Sequence, residues 1–176
     1  VTGVQTCALP IWMIMFQDIK EKIINYVFNI SVQPVLFHEL MTANKQFNDG
    51  MHLKGINLGF RLRLGRAYLV FLAIAHIFII PLAFVIHAVF AGADCHLSII
   101  MAVLFTAILF AFMGMFKEWL YDEISLKRIQ DAWKLHFPHF DYSKNKNAVC
   151  KIYNESIEQD IPKKDLERFI LDRLID

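Results

Sequence analysis

The sequence predicts an all-α integral membrane protein: a two-span transmembrane helical hairpin with amphipathic cytosolic helices on both sides. Three observations carry the prediction. From Ala67 to Phe116 the only formal charge is Asp94. That block divides at Ala91-Gly92-Ala93-Asp94-Cys95-His96 into stretches at about 68–90 and 97–116, each close to the roughly 20 apolar residues a helix needs to cross a hydrocarbon core about 30 Å thick. The composition agrees, with 56% hydrophobic residues, 16 Phe and a mean hydropathy of +0.41, all above the soluble average.

Charge placement sets the expected orientation. Lys54, Arg61, Arg63 and Arg66 precede the first span, Lys117, Lys127 and Arg128 follow the second, and the connecting loop has no Lys or Arg. Cationic loops stay on the cytoplasmic side, so both termini are expected there. A compact hairpin of this kind fits a bacterial inner membrane. The net charge of +1 excludes a general nucleic-acid binder, which presents a basic face or stripe. Cys95 and Cys150 fall on opposite sides of the bilayer, where they cannot pair.

Residues 1–11, Val1 to Ile11, read as a translated sequencing-library adapter and are set aside from the fold. Residues 12–66 form the first cytosolic and interfacial segment. Phe16, Ile19, Ile23, Val27 and Ile30 recur about every 3.5 residues, with Asp18, Lys20, Glu21 and Lys22 on other faces, which predicts an amphipathic helix ending before Pro34. A short second helix is expected from Pro34, a good first-turn residue, to about Phe47, where Asn48-Asp49-Gly50 supplies a turn. In Met51 to Gly65, Leu58, Phe60, Leu62 and Leu64 alternate with Arg61 and Arg63. An isolated strand is unstable, so an interfacial segment with its arginines toward headgroups is expected there instead.

Residues 67–117 hold the hairpin, and residues 118–176 form a helical tail. Trp119 and Tyr121 suit the membrane boundary. Trp119, Leu126, Ile129 and Trp133 make one stripe of a helix that stops near Pro138. Ser143 is expected to cap the next helix, whose stripe is Val149, Ile152, Tyr153 and Ile157. Pro162 opens the last, with Leu166, Phe169, Ile170 and Leu174 on one face. So short a tail buries a core only against something larger: the N-terminal helices, a partner or the membrane surface.

Polar residues inside spans are costly and therefore mark candidate chemistry. His76 and His87 lie about 20° apart on one helix face and roughly 16 Å apart along the axis. In two copies they could ligate haem b or a transition metal, since axial His commonly holds haem. The alternative is that His76 bonds Thr106 or a backbone carbonyl, while His87 reaches interfacial water. His87, Asp94, Cys95 and His96 gather residue types that bind zinc or copper at the outer edge, in no standard spacing. His136 and His139 bracket Phe137-Pro138. With His38 and Glu39, or His52, they would approach a di-iron-type cluster, but the required clusters are incomplete. The competing reading of that turn is aromatic packing against the tail helices.

Pro81 bends the first span unless a neighbour compensates. Ala107, Ala111 and Gly114 put small residues along one side of the second, the expected packing seam. Two spans cannot enclose a pore, so transport would require several copies. No catalytic, cofactor or transport signature is complete. The sequence therefore points to an anchor or accessory protein, more a non-enzyme than an enzyme, with no resident cofactor. Its expected partners are the lipid bilayer and a protein partner or second copy bound through the cytosolic helices.

Overall fold

The computed structural model describes residues 11–51, 53, 55–89 and 95–175, with side chains at all of these except 11–14, 86–89 and 95–98. Among the described residues the order is α1 (Ile11–Val27), β1 (Phe28–Ile30), α2 (Phe37–Asn48), β2 (Phe60–Leu62), α3 (Leu64–Val89), α4 (Cys95–His136), α5 (Tyr142–Glu158) and α6 (Leu166–Ile175). Contacts divide the chain into two compact units, each discontinuous in sequence: Val1–Asn29 with Arg61–Trp119, and Ile30–Phe60 with Leu120–Asp176. Residues 30–60 thus group with the tail, a partition that no local pattern announces.

In the first unit, α3 and the N-terminal part of α4 are long and apolar enough to cross a membrane. Twenty-six residues make α3 about 39 Å long. Large apolar side chains along both helices face outward: Ile77, Phe78 and Phe84 on α3, and Val103, Ile108 and Phe110 on α4, are each more than half exposed. A soluble helix buries such residues, so this exposure is the informative observation. Helical structure continues through Pro81, which has no N–H to offer the Ile77 carbonyl.

The first helix ends earlier than the sequence suggests. The helix predicted to reach Pro34 stops at Val27, and Phe28–Ile30 pairs with Phe60–Leu62 as a two-stranded sheet. Ser31 N–H donates to the Gly59 carbonyl at 2.7 Å, and Arg63 N–H to the Val27 carbonyl at 2.9 Å, which makes the pair antiparallel. The expected interfacial segment is therefore corrected to a strand over 60–62. Its alternation was genuine, and its partner lies in a stretch whose β-branched Ile30 and Val32 and whose Asn29 disfavour helix before Pro34.

Arginines tie this region together. Arg66 lies 4.8 Å over the Tyr26 ring and donates from Nη1 to the Tyr26 carbonyl at 3.2 Å. Arg63 donates from Nη2 to Asn29 Oδ1 at 3.1 Å. A cation on a carbonyl of the last turn satisfies an orphan acceptor and complements the negative end of the α1 dipole. Ile24 and Val27 of α1, and Ala67 and Phe71 of α3, are buried where the two helices pack. Phe71 also meets Phe116 of α4 with ring centroids 5.7 Å apart.

The second unit closes its own core. Leu40 and Met41 from α2, Ile129, Trp133 and Phe137 from α4 and the turn after it, Val149 from α5 and Ile170 from α6 are all almost wholly buried. Of the surfaces expected to receive the tail stripes, an N-terminal helix is the one found: α2 packs on α5 and α6. Polar contacts register α2 against α5. Thr42 Oγ1 meets Tyr153 Oη at 3.0 Å, Asn44 Nδ2 donates to the Lys146 carbonyl at 3.1 Å, and Asn48 Nδ2 donates to Asn147 Oδ1 at 2.9 Å.

Helix starts differ in detail from the sequence reading. Pro34 lies ahead of α2, whose cap is the extended Leu36. Asp141, not Ser143, caps α5, accepting from Lys144 N–H at 3.3 Å. The carbonyl of Pro162 accepts from Asp165 N–H at 2.9 Å in a turn that precedes α6.

Candidate functional site

Of the His76 and His87 pair on α3, only His76 has a described side chain. Its Nδ1 lies 2.6 Å from the Leu72 carbonyl one turn back on α3. A carbonyl only accepts, so Nδ1 is the donor in this bond and Nε2 is the nitrogen left without it. His76 is exposed, and Thr106 donates instead to the Ala102 carbonyl at 2.8 Å. The side chains of His87, Cys95 and His96, and all of Asp94, lie outside the described residues. On α4, Ala107 and Ala111 are exposed and Gly114 is half-exposed, and a Cβ added at Gly114 would meet nothing within 4 Å.

The structure separates His136 and His139 by role. His136, at the end of α4, places Nε2 3.0 Å from the Val35 carbonyl and Nδ1 3.3 Å from Glu167 Oε1 on α6. Both partners are acceptors, and both are distant in the sequence. Phe37 meets the ring edge-on at 5.3 Å. His139 is exposed on the turn. Among the described residues no group of three or more His, Cys, Asp or Glu side chains could hold a metal ion.

His38, in the first turn of α2, is more informative as a titrating group. Burial and then the Lys163 charge hold its pKa below the ordinary imidazole value, and Glu39 opposes them in part. The unfolded chain therefore takes up the proton first as pH falls. Stability is complete above about pH 6.5, the unfolded value, and declines as pH drops below it toward the folded value. Acidification from pH 7.5 to 5.5 is expected to lower the thermal midpoint of the detergent-solubilised protein more than that of His38→Gln. An equal loss in both proteins would remove His38 as the cause.

A concave feature that sequence reasoning missed lies in the second unit. A cleft of about 380 Å³ is lined by Ser31, Gln33, Pro34, Val35, Leu36, Glu39, Asn57 and Gly59. Arg128 braces the two segments that line it, donating from Nε to the Leu58 carbonyl at 2.8 Å and from Nη2 to the Gln33 carbonyl at 3.1 Å. In the sequence, Arg128 read only as one of the cytoplasmic charges. Gly59 allows this approach, because a Cβ there would lie 3.0 Å from Arg128 Nη2 and 3.3 Å from Ser31 Cβ. Its φ of +72 is also one that L side chains rarely adopt. Gly59→Ala is expected to destabilise the second unit by about 1–3 kcal/mol, read as a lowered unfolding midpoint. An unchanged midpoint would show that the loop yields freely.

Apolar side chains flank this cleft. Val32 is 101% and Leu36 is 66% exposed, on a segment otherwise fixed by the Ser31 and Gln33 bonds. Together with the Glu39 carboxylate and the Asn57 and Gln33 amides, they make a surface suited to contact and have no reactive group paired for catalysis. Compared with known proteins, the chain matches no family model, and no curated protein and no solved structure is significantly similar to it.

Proposed function

We propose that this is an integral membrane anchor whose helical unit acts through protein contacts on the cytoplasmic side of a bacterial-type inner membrane. α3 and the first part of α4 cross the bilayer as a hairpin. The observation that carries this reading is the contrast between the units. One exposes long apolar helices bearing few charges, and the other buries its apolar residues in a closed core. Lipid is the solvent that makes the first arrangement stable. The Arg61, Arg63 and Arg66 cluster at the start of α3, with Lys117, Lys127 and Arg128 on α4, supports cytoplasmic ends. Docking is assigned to the cleft rim, where Val32 and Leu36 stand exposed beside Glu39.

The test is made in intact membranes. A reporter fused after Asp176 is expected to be active only in the cytoplasm, and a photocrosslinker at Leu36 is expected to give one discrete adduct that a probe at the exposed Glu158 does not. A reporter active outside the cell would reverse the orientation. Equal smears at the two positions would remove the docking role.

One observation favours a cofactor reading as well. Metal-bound His commonly donates its other ring N–H to a carbonyl, and His76 is arranged that way with Nε2 left outward. Haem held between two copies would give purified protein a Soret band that His76→Ala removes. Colourless protein would dismiss it.

A further inference from the structure

We infer that α1 lies along the headgroup boundary of the leaflet in which α3 begins, with a lipid surface covering its open apolar face. This rests on the proposal that α3 spans the bilayer, and it assigns a partner to a helix that the sequence left without one. At about 100° per residue, the side chains of α1 divide into three sectors. Ile24 and Val27 form the buried sector against α3. Asp18, Glu21, Lys22 and Asn25 form a polar sector, where Lys22 and Asp18 pair at 3.3 Å, and Gln17 and the half-buried Lys20 flank Ile24. Between them lie Met15, Phe16, Ile19 and Tyr26, at 59%, 61%, 48% and 45% exposure.

The apolar arc of α1 is therefore wider than the strip that α3 covers, and its remainder adjoins α3. Helix α3 carries exposed apolar residues in its first turns, at Tyr68, Leu69 and Leu72. A partially covered apolar arc that continues onto the first turns of a span is what an interfacial helix presents to acyl chains, its polar face remaining in water. Charge complementarity points to the same occupant. Arg61, Arg63 and Arg66 stand where β2 leads into α3, and Arg66 binds the C-terminal turn of α1, so cationic groups sit beside the apolar face. Phospholipid headgroups, anionic ones above all, supply the phosphates that such arginines bind.

The experiment uses the full chain with Cys7→Ala, Cys95→Ala and Cys150→Ala, reconstituted in nanodiscs of phosphatidylcholine and phosphatidylglycerol. Single cysteines at Ile19, Lys22 or Val103 carry an environment-sensitive fluorophore, quenched either by aqueous iodide or by nitroxides placed at known depths on the lipids. The expected result is strong quenching of the Ile19 probe by shallow lipid nitroxides and a several-fold lower iodide rate than for Lys22, with Val103 quenched by deep nitroxides. If Ile19 is as iodide-accessible as Lys22 while Val103 is deep, the interfacial helix is wrong and the span stands. If Ile19 is shielded from iodide but not quenched by lipid, protein covers it, and the inference is again overturned. If Val103 is itself open to iodide, the membrane-spanning proposal fails with it.

Discussion

Trp133→Ala is expected to dismantle the second unit. The indole is 1% exposed, lies 4.5 Å from the Phe137 ring and 5.2 Å from Tyr142, and donates from Nε1 to the Phe140 carbonyl at 2.8 Å. Truncating a buried aromatic of this size costs about 3–5 kcal/mol, and the orphaned carbonyl adds to it. Domains are stable by only about 5–15 kcal/mol, so this is a large fraction of the total. Amide hydrogen exchange on the full chain in detergent should show α5 and α6 losing most of their protection. Leu135→Ala, two positions along the same helix but 61% exposed, should leave them within about 0.5 kcal/mol. Unchanged protection in Trp133→Ala would mean that the helices are held by something other than this core.

The second large effect concerns the spans. Leu104 and Ile108 lie four residues apart on one face of α4, both about half exposed. On a helix in water, arginine at these positions would be nearly neutral and would improve solubility. In the middle of a bilayer each arginine costs about 2.5–3.5 kcal/mol, while each remaining Leu, Ile, Phe or Val returns only about 0.3–0.6 kcal/mol. The double variant Leu104→Arg with Ile108→Arg is therefore expected to lose its membrane-crossing segment. A protease-protection assay on vesicles would read this as new cleavage between Ile99 and Phe116. A variant that partitions and resists cleavage like the parent chain would contradict insertion of α4.

How much was legible depended on the range of the interactions involved. That the second apolar stretch continues outward as one helix was foreseen from Trp119, Ile129 and Trp133, since a helix face is written at intervals of three and four residues, whereas Cys95 and His96, read as loop, already belong to α4. The stop before Pro138 was foreseen too. The alternation at Leu58, Phe60 and Leu62 was visible, yet it was set aside because a strand needs a partner, and Phe28–Ile30 had been absorbed into a helical stripe. Arg128 and Gly59 were each unremarkable alone. Their meaning appears only where the guanidinium reaches the Leu58 and Gln33 carbonyls beside a glycine that leaves it room. His136 read as half of a metal pair, and the structure gives it carbonyl and carboxylate partners that lie far away in the sequence.

The sequence by itself determined two helices long and apolar enough to cross a membrane and the helical stripes around them. Apolarity along a continuous segment, and its period, are properties of neighbouring residues. Tertiary structure decided which stripes meet, that residues 30–60 join the tail in one core, that two short strands pair, and which part of α1 stays open. Those outcomes depend on contacts between residues distant in the chain, where one apolar face is chemically interchangeable with another until packing selects its partner.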